Sequence, residues 1–277
     1  MANNKVEIEN NLNLIRSLIT KHKRHDRIFA GVGMFIIISL TITLLVLFLD
    51  LVFDGYPRFN LDFLTNFPSR RATAAGILSA WVGSSLVLIV TFFAAVPLGI
   101  AAGVYLEEYA KKNWFSDLIE INVTNLAGVP SIIYGILGLE IFVRLMDLGG
   151  SLLAGSFTLS LLILPVIIVA TREALKAVPL TTRTASYALG ATKWQTIWNL
   201  VLPASLSSII TGVILALARA VGETAPLIVI GALAYVPFVA KTPMDEFTVM
   251  PIQIFNWISR PQHGFTINAA AAIIILL

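Results

Sequence analysis

Leu215-Ala-Leu-Ala-Arg219-Ala-Val-Gly-Glu223-Thr-Ala-Pro226-Leu227 places two opposite charges inside a long apolar run. Between Lys193 and Lys241 there is no other Asp, Glu, Lys or Arg. A run of that length and character reads as a membrane-crossing helix, which needs about 20 apolar residues. Both charges then lie within the hydrocarbon, where a charged side chain costs roughly 2.5–3.5 kcal/mol on insertion scales. The i,i+4 spacing puts them on one helix face. Two readings stand. The pair is a site on a transport path, or it is a structural ion pair that lets Arg219 enter the bilayer neutralised.

The rest of the chain agrees with a membrane setting. Apolar residues make up 57% of it and charged residues 13%, against about 25% charged in soluble domains; the mean hydropathy is +0.85. The expected fold class is all-α, a polytopic membrane protein with six transmembrane helices. There are no cysteines, so no disulfide framework, thiolate metal site or thiol nucleophile is available. A net charge of +3, with no basic stripe interleaved with aromatics, does not suggest a nucleic-acid partner. No His or carboxylate cluster has metal-ligand spacing, and His263 is a lone loop histidine. No phosphate-cradling glycine loop with lysine occurs, so the chain is not expected to hydrolyse ATP or to hold a cofactor itself.

Charge-free runs set the expected organisation. Residues 1–27 form an N-terminal tail, and 28–277 a transmembrane domain with spans at about 28–52, 78–105, 121–143, 148–171, 205–235 and 267–277. The last run is too short to cross, so this helix is expected to continue past Leu277. The first span is too long for a signal peptide and lacks a small-residue cleavage site. In the tail, Leu12, Leu14, Ile15, Leu18 and Ile19 suit either a solvated segment or a short helix on the membrane or a partner.

Lys and Arg in the loops give the orientation. Lys5, Arg16, Lys21, Lys23, Arg24, Arg27, Lys111, Lys112, Arg172, Lys176, Arg183 and Lys193 fall on one side. Arg58, Arg70, Arg71, Arg144, Lys241 and Arg260 fall on the other. The richer side, with both termini, is expected to be cytoplasmic.

Pro97, Pro130, Pro165 and Pro226 each stand within an inner span. Each alone reads as a packing kink. Four together favour helices curved around a cavity, as do Gly99, Ala101, Ala102, Gly103, Gly128, Gly135 and Gly138, which permit close helix contact. Between Pro237 and Asn268, Ile252, Phe255, Trp257 and Ile258 suit an amphipathic helix at the outer interface. Such a helix reads as a headgroup-anchored gate, with contact to an external binding protein as a second role.

The loop 172–203 is the other informative region. Thr181 or Thr182 can cap a helix. Ala185, Ala188, Leu189, Trp194, Ile197 and Trp198 give an apolar face broken at Gly190. Two short helices hinged at that glycine would offer a knob to a soluble partner, or their tryptophans would anchor the loop at the headgroups.

Here a resemblance enters. Gly190, nine residues, Leu200, one residue and Leu202-Pro203 resemble the coupling-loop signature of ABC-importer permeases. Tyr105-Leu-Glu-Glu-Tyr-Ala110, Asn125-Leu-Ala-Gly-Val-Pro-Ser-Ile-Ile-Tyr-Gly135, Tyr187-Ala-Leu-Gly-Ala-Thr-Lys-Trp194 and Ala218-Arg-Ala-Val-Gly-Glu-Thr-Ala-Pro226 are similar, in this order and spacing, to strings of the permease subunits of phosphate importers. The resemblance covers nearly the whole chain. It implies a type I ABC-importer permease fold in a bacterial inner membrane. It also implies a second homologous permease subunit, two copies of an ATPase subunit that binds the ATP and Mg, and an extracytoplasmic phosphate-binding protein. Thr184, Ala185, Ser186, Gly190, Ala191, Thr192, Lys193 and Trp194 would then meet the ATPase, and Arg219, Glu223 and Thr224 would line the substrate path.

Two departures bear on this. The family's Glu-Ala-Ala falls at Thr184-Ala185-Ser186, without the glutamate. The Arg-Thr-Thr-Glu-like string of many relatives falls at Val169-Ala-Thr-Arg172-Glu173, which leaves only Arg172 or Glu173, in shifted positions, to contribute charge there.

The buried pair fits the implied substrate. Guanidinium presents paired planar donors to two oxygens of an oxyanion. Phosphate keeps a proton near neutral pH and can donate to Glu223, whereas sulfate cannot, so an Arg with an acceptor suits phosphate better. A permease for sulfate, molybdate or phosphonate is the alternative. A secondary transporter fits less well, since the glycine loop has no place in it and no internal repeat is detectable. A simple membrane anchor leaves the cost of the two charges without a use.

Overall fold

The computed structural model describes residues 2–111, 113–232 and 235–277, with the backbone alone for residues 2–22, 24 and 25. Lys112 and the five apolar positions from Leu12 to Ile19 therefore lie outside the described side chains. Among the described residues the structure is helical, and the only strand-like pairing is an isolated bridge between Ser151 and Glu246.

The chain forms two compact units, Met1–Tyr56 and Pro57–Leu277. The first is one helix, α1 (Ala2–Gly55). Its apolar part, from Ile28 to Leu49, is exposed all round, as expected of a helix whose solvent is lipid.

The second unit begins with a short helix, α2 (Leu61–Thr65), capped by Asn60, whose side chain accepts from the Phe63 N–H at 2.8 Å. The long α3 (Leu78–Val104) ends in a π-turn at Tyr105–Tyr109. Next come α4 (Trp114–Leu126) and α5 (Ser131–Gly138), the latter continued as a π-helix to Leu145. The central α6 (Leu152–Lys176) follows. Two short helices, α7 (Leu180–Ala188) and α8 (Lys193–Thr196, continued as a π-helix to Val201), lead to α9 (Leu202–Gly222). The chain closes with α10 (Ala225–Ile230), α11 (Met250–Ile258) and α12 (His263–Leu276).

Four helical stretches are long and apolar enough to cross a membrane: Asp26–Arg58, Leu78–Tyr109, Leu152–Lys176 and Lys193–Gly222. A fifth candidate is the pair Trp114–Leu126 and Ser131–Leu145, bent by 103° at the break between them. His263–Leu276 is apolar but shorter.

Helix α6 is the hub. It buries residues on nearly every side, including Ala154, Leu159, Ile163, Pro165 and Ile167, and packs against α3, α4, α5, α9 and α10. Its first turn is closed by the Ser151 hydroxyl, which accepts from the Ala154 N–H at 3.3 Å. The carbonyls of Asp245 and Pro243 accept from the N–H groups of Leu152 and Leu153 at 3.0 and 2.9 Å. Free N–H groups at a buried helix start need such partners. That loop is shaped by Asp245, which accepts from the Thr242 hydroxyl at 2.6 Å and from the N–H groups of Thr242 and Lys241. These donors hold its carboxyl below the ordinary range.

Along α3 a buried stripe repeats every four residues, Gly83, Val87, Thr91, Ala95, Gly99 and Gly103; Gly99 and Gly103 meet Ile167 and Thr171 of α6, whereas Gly83 lies against the Thr248 backbone. Small residues at that spacing let two helix axes approach closely. A Cβ on Gly103 would stand 2.7 Å from the Thr171 Cβ. The other side of the same contact is polar where it is deepest: the Thr91 hydroxyl donates to the Ser156 carbonyl at 3.2 Å.

Candidate functional site: two broken spans around Arg219 and Glu223

Pro226 decides the geometry of the charged pair. Within a helix its ring would clash with the carbonyl four residues back, at Gly222, and it has no N–H to offer that carbonyl. Helix α9 accordingly stops at Gly222. Glu223 leaves the helix in an extended conformation, φ −76° and ψ 128°, and α10 restarts with Pro226 in its first turn. The continuous span expected over 205–235 is therefore interrupted next to the charges. Glu223 caps a helix end instead of sitting one turn along from Arg219. The two still meet, with Arg219 Nε 3.3 Å from Glu223 Oε1. Arg219 also lies in the last turn of α9, where a cation complements the free carbonyls.

The pair is not part of the core. Ile209, Val213, Ala216 and Ala220 form the buried face of α9 against α6. Arg219 turns away from them and is 41% exposed; Glu223 is 16% exposed. Thr224 is half-buried beside the break.

A second interrupted span faces the first. Between α4 and α5 the chain turns through Ala127-Gly-Val-Pro130, where Pro130 precedes the first helical residue of α5. The Tyr134 hydroxyl reaches back across this break to the Leu126 carbonyl at 2.9 Å. Helices α5 and α10 touch backbone to backbone: a Cβ on Gly135 would stand 2.7 Å from Pro226 Cα and 3.1 Å from the Pro226 carbonyl. Discontinuous helices that meet near an ionic pair are the usual frame of a transporter binding site.

Pro97 and Pro165, by contrast, sit inside unbroken helices. Two of the four prolines thus interrupt spans: Pro226 follows Glu223 by three residues, and the helix that starts after Pro130 meets Pro226 through Gly135.

The loop 172–203 folds into α7 and α8 about Gly190, which takes φ +84°. An L-residue there is strained by roughly 1–2 kcal/mol. Gly190→Ala is expected to lower the thermal midpoint of the purified protein by a few degrees, read by tryptophan fluorescence; an unchanged midpoint would show that the turn relaxes. Thr192 and Gln195 form a capping box for α8. The Thr184 hydroxyl donates to the Thr181 carbonyl at 3.0 Å, and Ser186 and Thr196 share a hydrogen bond of 2.9 Å. Ala185 is exposed, and Ala191 closes the turn through its N–H to the Ser186 carbonyl at 3.2 Å. Trp194 stacks on Trp198 at 5.5 Å, and the Lys193 ammonium lies 5.0 Å from the centre of the Tyr109 ring.

A charged cluster lies at the end of α6, where sequence reasoning left only Arg172 or Glu173. Arg172 is nearly buried, at 8% side-chain exposure, and its Nη2 stands 2.7 Å from Glu120 of α4 and 3.5 Å from Glu107 of the π-turn. Lys176 bridges Glu173 at 3.0 Å and Glu120 at 3.7 Å. A polar cavity of about 430 Å³ opens beside them. Glu107 and Glu120 were not singled out from the sequence; the signal available was a pair of glutamates, Glu107-Glu108, at the very end of an apolar span. Among the described residues no group of three or more His, Asp or Glu could hold a metal ion.

Residues 95–277 match the family of binding-protein-dependent transport system inner membrane components. The chain belongs to that family: it is a multi-pass membrane permease, not an enzyme. It is similar to the probable ABC transporter permease protein YqgI of Bacillus subtilis, 34% identical over 211 residues that make up 76% of this chain and 71% of that one. It is also similar to the phosphate transport system permease protein PstA of Haemophilus influenzae, 30% identical over 86% of this chain and 84% of the relative. The protein of that name from Yersinia pestis is 39% identical over 64% of this chain and 60% of its own length.

Proposed function

We propose that the chain is a permease subunit of an ATP-driven importer that carries inorganic phosphate across the bacterial cytoplasmic membrane by alternating access. The observation that carries this reading is the placement of Arg219 and Glu223 at the meeting of two broken spans, on a face of α9 turned away from its own core. Several relatives are named phosphate transport permeases, and the chemistry of the pair fits that substrate. Arg219 offers paired donors to two phosphate oxygens, while Glu223 accepts a hydrogen bond from the hydroxyl that phosphate retains at neutral pH. Thr224 adds a hydroxyl.

One arginine cannot neutralise a dianion. A second, homologous permease subunit supplies the remaining ligands across the open face. Two ATPase subunits, which bind the ATP and Mg, engage α7 and α8 around Gly190, through Thr184, Ala185, Ser186, Ala191, Thr192, Lys193 and Trp194. An extracytoplasmic phosphate-binding protein delivers the ion. Residues 1–27 are the cytoplasmic N-terminal tail, and 28–277 the permease domain, whose sixth span begins near 267.

Uptake of labelled phosphate by the reconstituted complex tests this. ATP-dependent uptake that a large excess of sulfate or molybdate leaves unchanged is the expected result. Equal competition by either anion would replace phosphate with a broader oxyanion substrate.

A further inference from the structure

We propose that the buried Arg183–Glu108 pair is the contact that carries movement of the loop 172–203 into the spans, which makes both groups positioning residues for coupling. The proposal rests on the reading of this loop as the docking point of an ATPase.

The geometry singles out Arg183. Its guanidinium reaches three places at once. Nη2 lies 2.8 Å and Nε 3.3 Å from Glu108 Oε1 on the π-turn that ends α3. Nη1 donates to the Val178 carbonyl at 2.6 Å, just past the end of α6, and Nη2 to the Leu175 carbonyl at 2.8 Å, in its last turn. The side chains of Arg183 and Glu108 are only 14% and 8% exposed.

No residue of α7 is fully buried, so this ion pair is its most enclosed side-chain attachment. Its other side-chain tie to a neighbouring helix is the Ser186–Thr196 hydrogen bond, which stays within the loop. An apolar contact slides under load. A desolvated pair held by a planar fork is directional, and separating it leaves a charge buried without its counterpart. Displacement of α7 therefore drags the end of α3.

The π-turn then divides that movement. Glu107, adjacent to Glu108, is held by Arg172 of α6, which also grips Glu120 of α4. Two neighbouring glutamates are thus fixed by arginines of two different elements. A π-turn is a local widening of the helix, frequent at functional sites. Here it makes one joint of α3, α4, α6 and α7.

Two readouts on the reconstituted complex test the proposal. The first is phosphate taken up per ATP hydrolysed in the same vesicles. Glu108→Gln keeps size and an acceptor oxygen but removes the charge. It is expected to leave assembly and ATP hydrolysis in place while the ratio falls by about tenfold. Glu108→Asp should recover part of it. The second readout does not depend on the substrate. A thiol introduced by Ala218→Cys, the only one in this chain, should change its rate of maleimide labelling when ATP is added, and Glu108→Gln should abolish that change. If wild type takes up no phosphate, the substrate reading fails and labelling alone decides the coupling role. Wild-type behaviour of Glu108→Gln in both readouts would overturn the proposal. So would a proportional loss of uptake and hydrolysis, or failure of the complex to assemble, since either would mark the pair as a folding contact.

Discussion

Arg219→Gln abolishes uptake while the complex still assembles and hydrolyses ATP. Removing one side of a hydrogen-bonded charge pair at a binding site costs roughly 2–5 kcal/mol, so the fall is from about 30-fold to several thousand-fold. Glu223→Gln falls as well, and less, because the amide oxygen can still accept a hydrogen bond from the phosphate hydroxyl. The double variant separates the two roles of the pair. If Glu223 serves only to neutralise Arg219 in the bilayer, losing both charges together relieves the penalty, and Arg219→Gln/Glu223→Gln transports better than either single variant. If the pair binds the anion, the double variant is as inactive as Arg219→Gln. Labelled-phosphate uptake by the four proteins in parallel decides between them.

Gly135→Ala is expected to cut uptake at least tenfold with no charge altered. The new methyl would meet the Pro226 backbone at 2.7 Å. Backbone cannot swing aside as a side chain does, so α5 and α10 must separate. Overpacking of this kind costs about 1–3 kcal/mol, and it falls where the two breaks are held together around Arg219. Gly135→Leu should abolish uptake outright. Gly128 is the matched control on the same broken span: a Cβ there would approach only the Asn125 carbonyl, at an ordinary 3.5 Å. Gly128→Ala should transport like wild type. Equal uptake by the Gly135 and Gly128 variants would show that the α5–α10 contact does not position the site.

The apolar spans and the lone charged pair were legible because each depends on local composition. The breaks were less so. Hydropathy measures how apolar a segment is, and a bend of 103° within Trp114–Leu145 leaves that measure unchanged. A finer rule was available. Pro130 and Pro226 each have a glycine within the four preceding residues, Gly128 and Gly222, whereas Pro97 follows Phe-Ala-Ala-Val and Pro165 follows Leu-Leu-Ile-Leu. A proline alone strains a helix that its neighbours can still hold. A glycine just before it removes the backbone stiffness that would resist a break. The ionic links were out of reach for another reason. Arg183 and Glu108 stand 75 residues apart, and no local pattern says which of the loop's cations turns inward.

The buried stripe of α3, from Gly83 against the Thr248 backbone to Gly99 and Gly103 against α6, also bears on how this sequence can evolve. On its opposite side α3 displays Ile89, Phe93 and Leu98, all exposed, where one large apolar residue serves as well as another. On the seam side a carbon added at Gly83, Gly99 or Gly103 meets a neighbour already in contact. Drift along this helix is therefore lopsided: nearly free on one side, and on the other confined to changes that add no bulk.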